Sequence, residues 1–161
     1  PGVRLTTLTE HHEAHPPRRV VSIPEGSWGE GGFHWIWFND WTKWTWRHIY
    51  EAEKTMVELA DASRTKSTPG LDRVLAQTAR ELLLLESSDW QFLISTWSAR
   101  DYAETRFSEH YSDFTRLAGI ARRIVENGEP TTGDLEFVGD MEMKDVPFAD
   151  LSVDLWRSDA P

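Results

Sequence analysis

Three observations predict a mainly α-helical bundle of three to four long helices, preceded by a Gly/Trp-rich loop and followed by an irregular tail. Apolar residues recur at i, i+3, i+4 spacing over three long stretches. Breakers separate those stretches, at Ser67-Thr68-Pro69-Gly70 and at Gly128 with Pro130. A length of 161 residues with 39% hydrophobic content supplies one core, not two.

Taken in order, residues 1–19 carry turn-forming residues, clustered histidines and the Pro16-Pro17 pair, and read as a connecting arm. Residues 20–161 read as one helical domain. Val20 to Ile23 suits a short strand stopped by Pro24. The glycine-rich run Glu25 to Gly32 then leads into Phe33-His34-Trp35-Ile36-Trp37-Phe38. Asn39 or Asp40 is the expected N-terminal signal of a first long helix reaching about Ala62. At about 100° per residue, Trp46, Ile49, Met56, Val57 and Ala60 share one of its faces. Trp41, Trp44 and His48 fall opposite, so this helix is expected to pack against two bodies.

The second helix is marked by Leu71, Val74, Leu75, Thr78, Leu82 and Leu85, and its run of leucines places it centrally. Ser87-Ser88-Asp89 offers a break before Trp90, Leu93, Ile94 and Trp97, which leaves one bent helix or two. A third helix spans about Ser98 to Asn127, with Gly128 as its natural terminator. From Thr131 the sparse anchors Phe137, Met141, Phe148, Leu151, Leu155 and Trp156 suggest an extended tail laid over the bundle.

Composition narrows the function. Seventeen Lys and Arg against 27 Asp and Glu give a formal net charge of −10, which repels phosphate backbones and argues against nucleic acid as a partner. The chain has no cysteine, which removes disulfides and thiolate metal sites and suits a cytoplasmic setting. No apolar run approaches the roughly 20 residues that span a bilayer, so no membrane partner is expected. Nine tryptophans are the compositional outlier. Broad indole faces suit neutral sugars.

The best binding candidate is therefore the Gly26–Trp37 segment, where glycines permit tight turns and Trp28, Trp35 and Trp37 project rings from them. The competing reading is that these rings fill a gap between domains. Glu25 and Glu30 flank Trp28, yet a spacing of five in a flexible loop sets no catalytic carboxyl separation. Asp89 fits helix capping as well as it fits sugar binding. His11, His12, Glu13 and His15 imitate metal-ligand spacing, but Pro16 and Pro17 oppose a helix there and favour a solvated arm. Neither G-x-G-x-x-G nor a P-loop is present, so no nucleotide cofactor is expected.

Pro24-Glu25-Gly26-Ser27-Trp28-Gly29-Glu30-Gly31-Gly32, Trp37-Phe38-Asn39 and Trp44-x-Trp46, with Glu81 to Leu93, Tyr102 to His110 and Asp145-x-Pro147-Phe148, give the chain a specific resemblance. It resembles, nearly end to end, the C-terminal domain of α-glucan branching enzymes of glycoside hydrolase family 57. That resemblance implies an enzyme that cleaves α-1,4 links and forms α-1,6 links without metal or organic cofactor. Its catalytic carboxylates would lie in an upstream barrel, so none of the residues here is expected to be catalytic and the fragment alone is expected to be inactive. Beginning at Pro1 rather than Met, the chain reads as truncated or excised. By motif position, Trp28 and Trp37 match aromatics lining the family's cleft. Trp35 and Asp89 are weaker matches, while Trp46, Trp90 and Trp97 are expected in core or interdomain packing. Two alternatives stand beside this: a self-sufficient carbohydrate-binding or interaction module, and a fragment of a related family 57 hydrolase or glucanotransferase.

Overall fold

The computed structural model describes residues 2–66 and 68–160, so the parts of the expected arm, turn and domain that fall on Pro1, Ser67 and Pro161 lie outside the described residues. Six α-helices and no β-strand form among the described residues. They are α1 (Leu8–Ala14), α2 (Lys43–Ser63), α3 (Leu71–Leu85), α4 (Asp89–Thr96), α5 (Arg100–Asn127) and α6 (Thr132–Lys144). The mainly helical expectation holds.

The core is the meeting of α2, α3 and α5, and helical spacing decides which side chains reach it. Ile49, Ala52, Met56, Leu59 and Ala60 enter from α2; Leu71, Val74, Leu75, Ala79, Leu82 and Leu85 enter from α3. Phe107, Phe114, Leu117, Ile120, Ala121 and Ile124 enter from α5. As its leucine run suggests, α3 is central and packs mainly on α5. The stretch after Leu85 is two helices, because Glu86 ends α3 and Ser87-Ser88 turn the chain into α4. Gly128 closes α5 at φ 95°, where its N–H reaches the Ile124 carbonyl at 2.7 Å.

Three local expectations are corrected. The segment after Thr131 is not extended throughout. A reciprocal cap between Thr131 and Asp134 starts α6, which buries Val138 and lays Phe137 and Met141 on the core. Only the stretch beyond Lys144 is largely irregular, anchored by Leu151, Val153 and Trp156. The arm holds a helix despite Pro16-Pro17, because Thr7 and Glu10 cap it and it ends at Ala14, before proline restricts His15. Val20 to Ile23 form no strand, since they are exposed and no other strand exists among the described residues to pair with them.

The expected packing of α2 on two sides holds, and its second face is met by a helix of the same domain. Trp44 meets Phe107 edge to face at 5.0 Å and His48 lies 4.3 Å from the Tyr111 ring, so the length of α5 covers most of that face. Trp41 alone of the three stays exposed.

Candidate functional site

The loop between the arm and α2 is shaped by its own backbone. Gly31 and Gly32 take positive φ of 68° and 77°, conformations that side chains oppose. Ser27 ties the turn shut, its N–H donating to the Gly32 carbonyl at 2.9 Å and its hydroxyl to the Phe33 carbonyl at 2.5 Å. Gly29 is buried inside it, and a Cβ there would stand 3.0 Å from the Phe33 oxygen.

The following residues are bolted to the bundle. Asn39 donates through Nδ2 to the Trp35 carbonyl and to Ser95 Oγ, both at 2.7 Å, while its Oδ1 accepts from the Trp41 N–H at 2.8 Å. Ser95 in turn donates to the Ile36 carbonyl at 2.5 Å. The Trp37 carbonyl accepts from Thr42 Oγ1 at 2.9 Å and from the Trp46 indole N–H at 2.8 Å. With three successive carbonyls held by Asn39, by α4 and by the start of α2, Trp35 and Trp37 project from a fixed backbone.

Trp28 and Trp37 come together, edge to face at 5.0 Å, and Trp28 also tilts against Phe92 of α4 at 5.2 Å. Trp28 is 75% exposed, whereas Trp37 is half-buried. They border an open cavity of about 570 Å³ that is completed by Ser27, His34, Phe38, Trp46, Tyr50 and Ser88. Trp46 has two roles that its helical position alone did not separate, since it packs on the core and lines this cavity. Tyr50, Phe38, His34 and Phe92 were missed by sequence reasoning. Tyr50 carried a signal, at the edge of the apolar face of α2, but Phe92 became visible only once α4 crossed the loop.

Trp35 joins a different cluster, 5.8 Å from Trp41, which lies 5.7 Å from Trp97. Asp89 sits exposed on the first turn of α4, beside the cavity residue Ser88. Its charge suits that helix end. Glu25 is exposed and lies 3.5 Å from His34, and Glu30 is exposed on the turn. At the α3 terminus, burial, reinforced by the nearby Glu53 carboxylate, pushes Glu86 up to about 7.

Behind α4 lies a buried polar chain with metal-ligand types: Glu81, His110 and Asp145. Arg106 donates to His110 Nε2 at 3.0 Å, and a guanidinium cannot accept, so Nδ1 carries the histidine proton. That proton is given to Glu81 Oε2 at 2.8 Å. Arg106 also faces Asp145 at 3.6 Å, and Gln77 donates to Glu81 Oε1 at 2.9 Å. The guanidinium thus supplies the cation, and the chain joins α3 and α5 to the segment after α6. In the arm, His11 of exposed α1 and His15 just past its end stack at 4.6 Å.

The family profile described as 1,4-alpha-glucan branching enzyme, C-terminal, matches residues 48–156. The chain belongs to this branching-enzyme C-terminal family. A 1,4-alpha-glucan branching enzyme of Thermococcus kodakarensis is 41% identical over 99% of the chain, which covers 23% of that protein. A GH57-type branching enzyme of Pyrococcus horikoshii superposes with a TM-score of 0.85 at 40% identity, over 99% of this chain and 29% of that one. The alpha-amylase AmyC of Thermotoga maritima matches less of the domain, with a TM-score of 0.59 and 30% identity over 73% of this chain and 21% of its own. This branching-enzyme C-terminal domain therefore spans about a quarter of the branching enzymes it matches. Among the described residues, no helix is long and apolar enough to cross a membrane.

Proposed function

We propose that this domain completes the glucan-binding cleft of a branching enzyme, which cleaves α-1,4 links and transfers the freed segment to a 6-hydroxyl. The observation that carries the reading is the pairing of an exposed Trp28 with Trp37 over an open aromatic cavity, on a backbone held by Asn39, Ser95, Thr42 and Trp46. Indole faces cover the C–H faces of glucose units, and a fixed platform reduces the ordering cost of a flexible chain. Trp28 and Trp37 are the stacking residues, with Trp35 and Asp89 as outer contacts.

The chemistry belongs elsewhere in the protein. A retaining transfer needs a carboxylate nucleophile and a second carboxyl as acid and base, at about 5 to 5.5 Å from each other. By the family resemblance these lie in an upstream barrel, against which this domain packs, in a cytoplasmic enzyme. The two archaeal matches, which run over 99% of the chain against 73% for the amylase, support branching over hydrolysis.

The isolated chain is accordingly expected to leave the iodine stain of amylose unchanged, because positioning without a nucleophile supplies no bond cleavage. A shift in the stain produced by this fragment alone would overturn the division of labour. A domain that binds amylose on its own as tightly as the intact enzyme does would favour a self-sufficient binding module.

A further inference from the structure

Trp35, placed above as an outer contact, belongs to a second aromatic feature beside the Trp28–Trp37 wall. Trp35 from the loop, Trp41 from the turn before α2 and Trp97 from the α4–α5 junction form a row of near-perpendicular rings at 5.8 and 5.7 Å. They remain 53%, 39% and 60% exposed. Trp97 adopts φ 59° and ψ 14°, a left-handed conformation that L-residues with a Cβ resist. The Arg100 guanidinium lies 4.7 Å over its ring and is itself held by Glu104 at 2.8 Å. The Thr96 and Ser98 hydroxyls, 2.9 Å apart, flank Trp97 in sequence.

Resting on the reading above, we infer that Trp35, Trp41 and Trp97 form a second α-glucan platform, which engages long chains beyond the Trp28–Trp37 wall. Three aromatic rings beside an Arg–Glu pair offer apolar faces with polar groups at one end and no net charge. That chemistry fits a neutral polyhydroxylated ring. A phosphorylated ligand would meet the Glu104 carboxylate in a chain of formal charge −10. Continuity selects the occupant: Trp35 and Trp37 are two residues apart, and the carbonyls of residues 35, 36 and 37 are pinned by Asn39, Ser95, Thr42 and Trp46. A polymer bound at one cluster therefore has the other presented at a fixed distance.

The test uses the intact enzyme carrying this domain, with long-chain amylose and maltoheptaose as substrates. Trp41→Ala and Trp97→Asn are the variants, the second because asparagine tolerates the left-handed backbone. The ratio of KM for amylose to KM for maltoheptaose should rise about tenfold in each, the size of one lost stacking contact. An unchanged ratio with normal folding overturns the platform. So does an equal rise on both substrates accompanied by faster proteolysis between this domain and the rest of the enzyme, which would make the row a packing surface. Trp28→Ala separates the levels: if it raises both KM values while Trp41→Ala and Trp97→Asn change nothing, only the second platform fails. If Trp28→Ala is silent as well, the positioning role beneath it fails.

Discussion

Replacing His110 by alanine would strand the Glu81 carboxylate in the middle of the bundle. Glu81 is 0% exposed and His110 is 1% exposed, so water cannot take over from the missing imidazole. Gln77 would remain, donating to one carboxylate oxygen, while the other would lose its 2.8 Å partner. Removing the hydrogen-bond donor from a buried carboxylate costs about 2 to 3 kcal/mol, against a whole-domain stability of about 5 to 15 kcal/mol. At roughly 2 to 4 °C per kcal/mol for a domain of this size, Tm should fall by about 4 to 12 °C. Glu81→Leu should cost a similar amount. The double variant Glu81→Leu/His110→Ala should cost less than the two single changes together, because it leaves no carboxylate stranded, and Arg106 retains Asp145 and Glu109. Urea denaturation followed by tryptophan fluorescence gives all three values by linear extrapolation. A single-variant cost below about 1 kcal/mol, or strict additivity in the double variant, would refute the argument that the pair locks α3 to α5.

Two further outcomes follow from the same geometry. The folded protein holds a proton on Glu86 up to about pH 7, whereas the ordinary value is 4.5, so this group's contribution to stability is lost as pH rises through that window. Glu86→Gln should therefore raise Tm at pH 8 and change it little at pH 4; an equal shift at both would show that the carboxyl titrates normally. Trp46→Ala removes a ring packed on the core and the donor to the Trp37 carbonyl, and should lower stability by about 3 kcal/mol in chemical denaturation. A loss under about 1 kcal/mol would mean that Trp46 is only a cavity wall.

Periodicity made α2, α3 and α5 legible, because each carries a continuous apolar stripe that the other two bury. It did not reveal α6, whose signal was the Thr131–Asp134 cap and whose single fully buried side chain, Val138, makes only a weak stripe. Nor did it show that α5 covers Trp44 and His48, since a helix face does not name what covers it. Glu81 and His110 are 29 residues apart, and no spacing pattern links them. The available clue was that Glu81 shares the side of α3 on which Thr78, Leu82 and Leu85 are buried. At the candidate site, the Trp28 and Trp37 cluster was visible in the glycine-rich motif, while Tyr50, Phe92 and Ser88 needed the crossing of α2, α4 and the loop.

The positioning role is tested most directly by Trp28→Ala in the intact enzyme, measured for both Tm and branching. Trp28 is 75% exposed, so truncation removes little buried area and Tm should stay nearly constant. Transfer to the acceptor chain should fall about tenfold or more, with Trp37→Ala alongside showing the same loss and a modest drop in Tm. A Trp28→Ala enzyme that unfolds readily, and whose folded fraction branches glucan at the normal rate, would contradict the account.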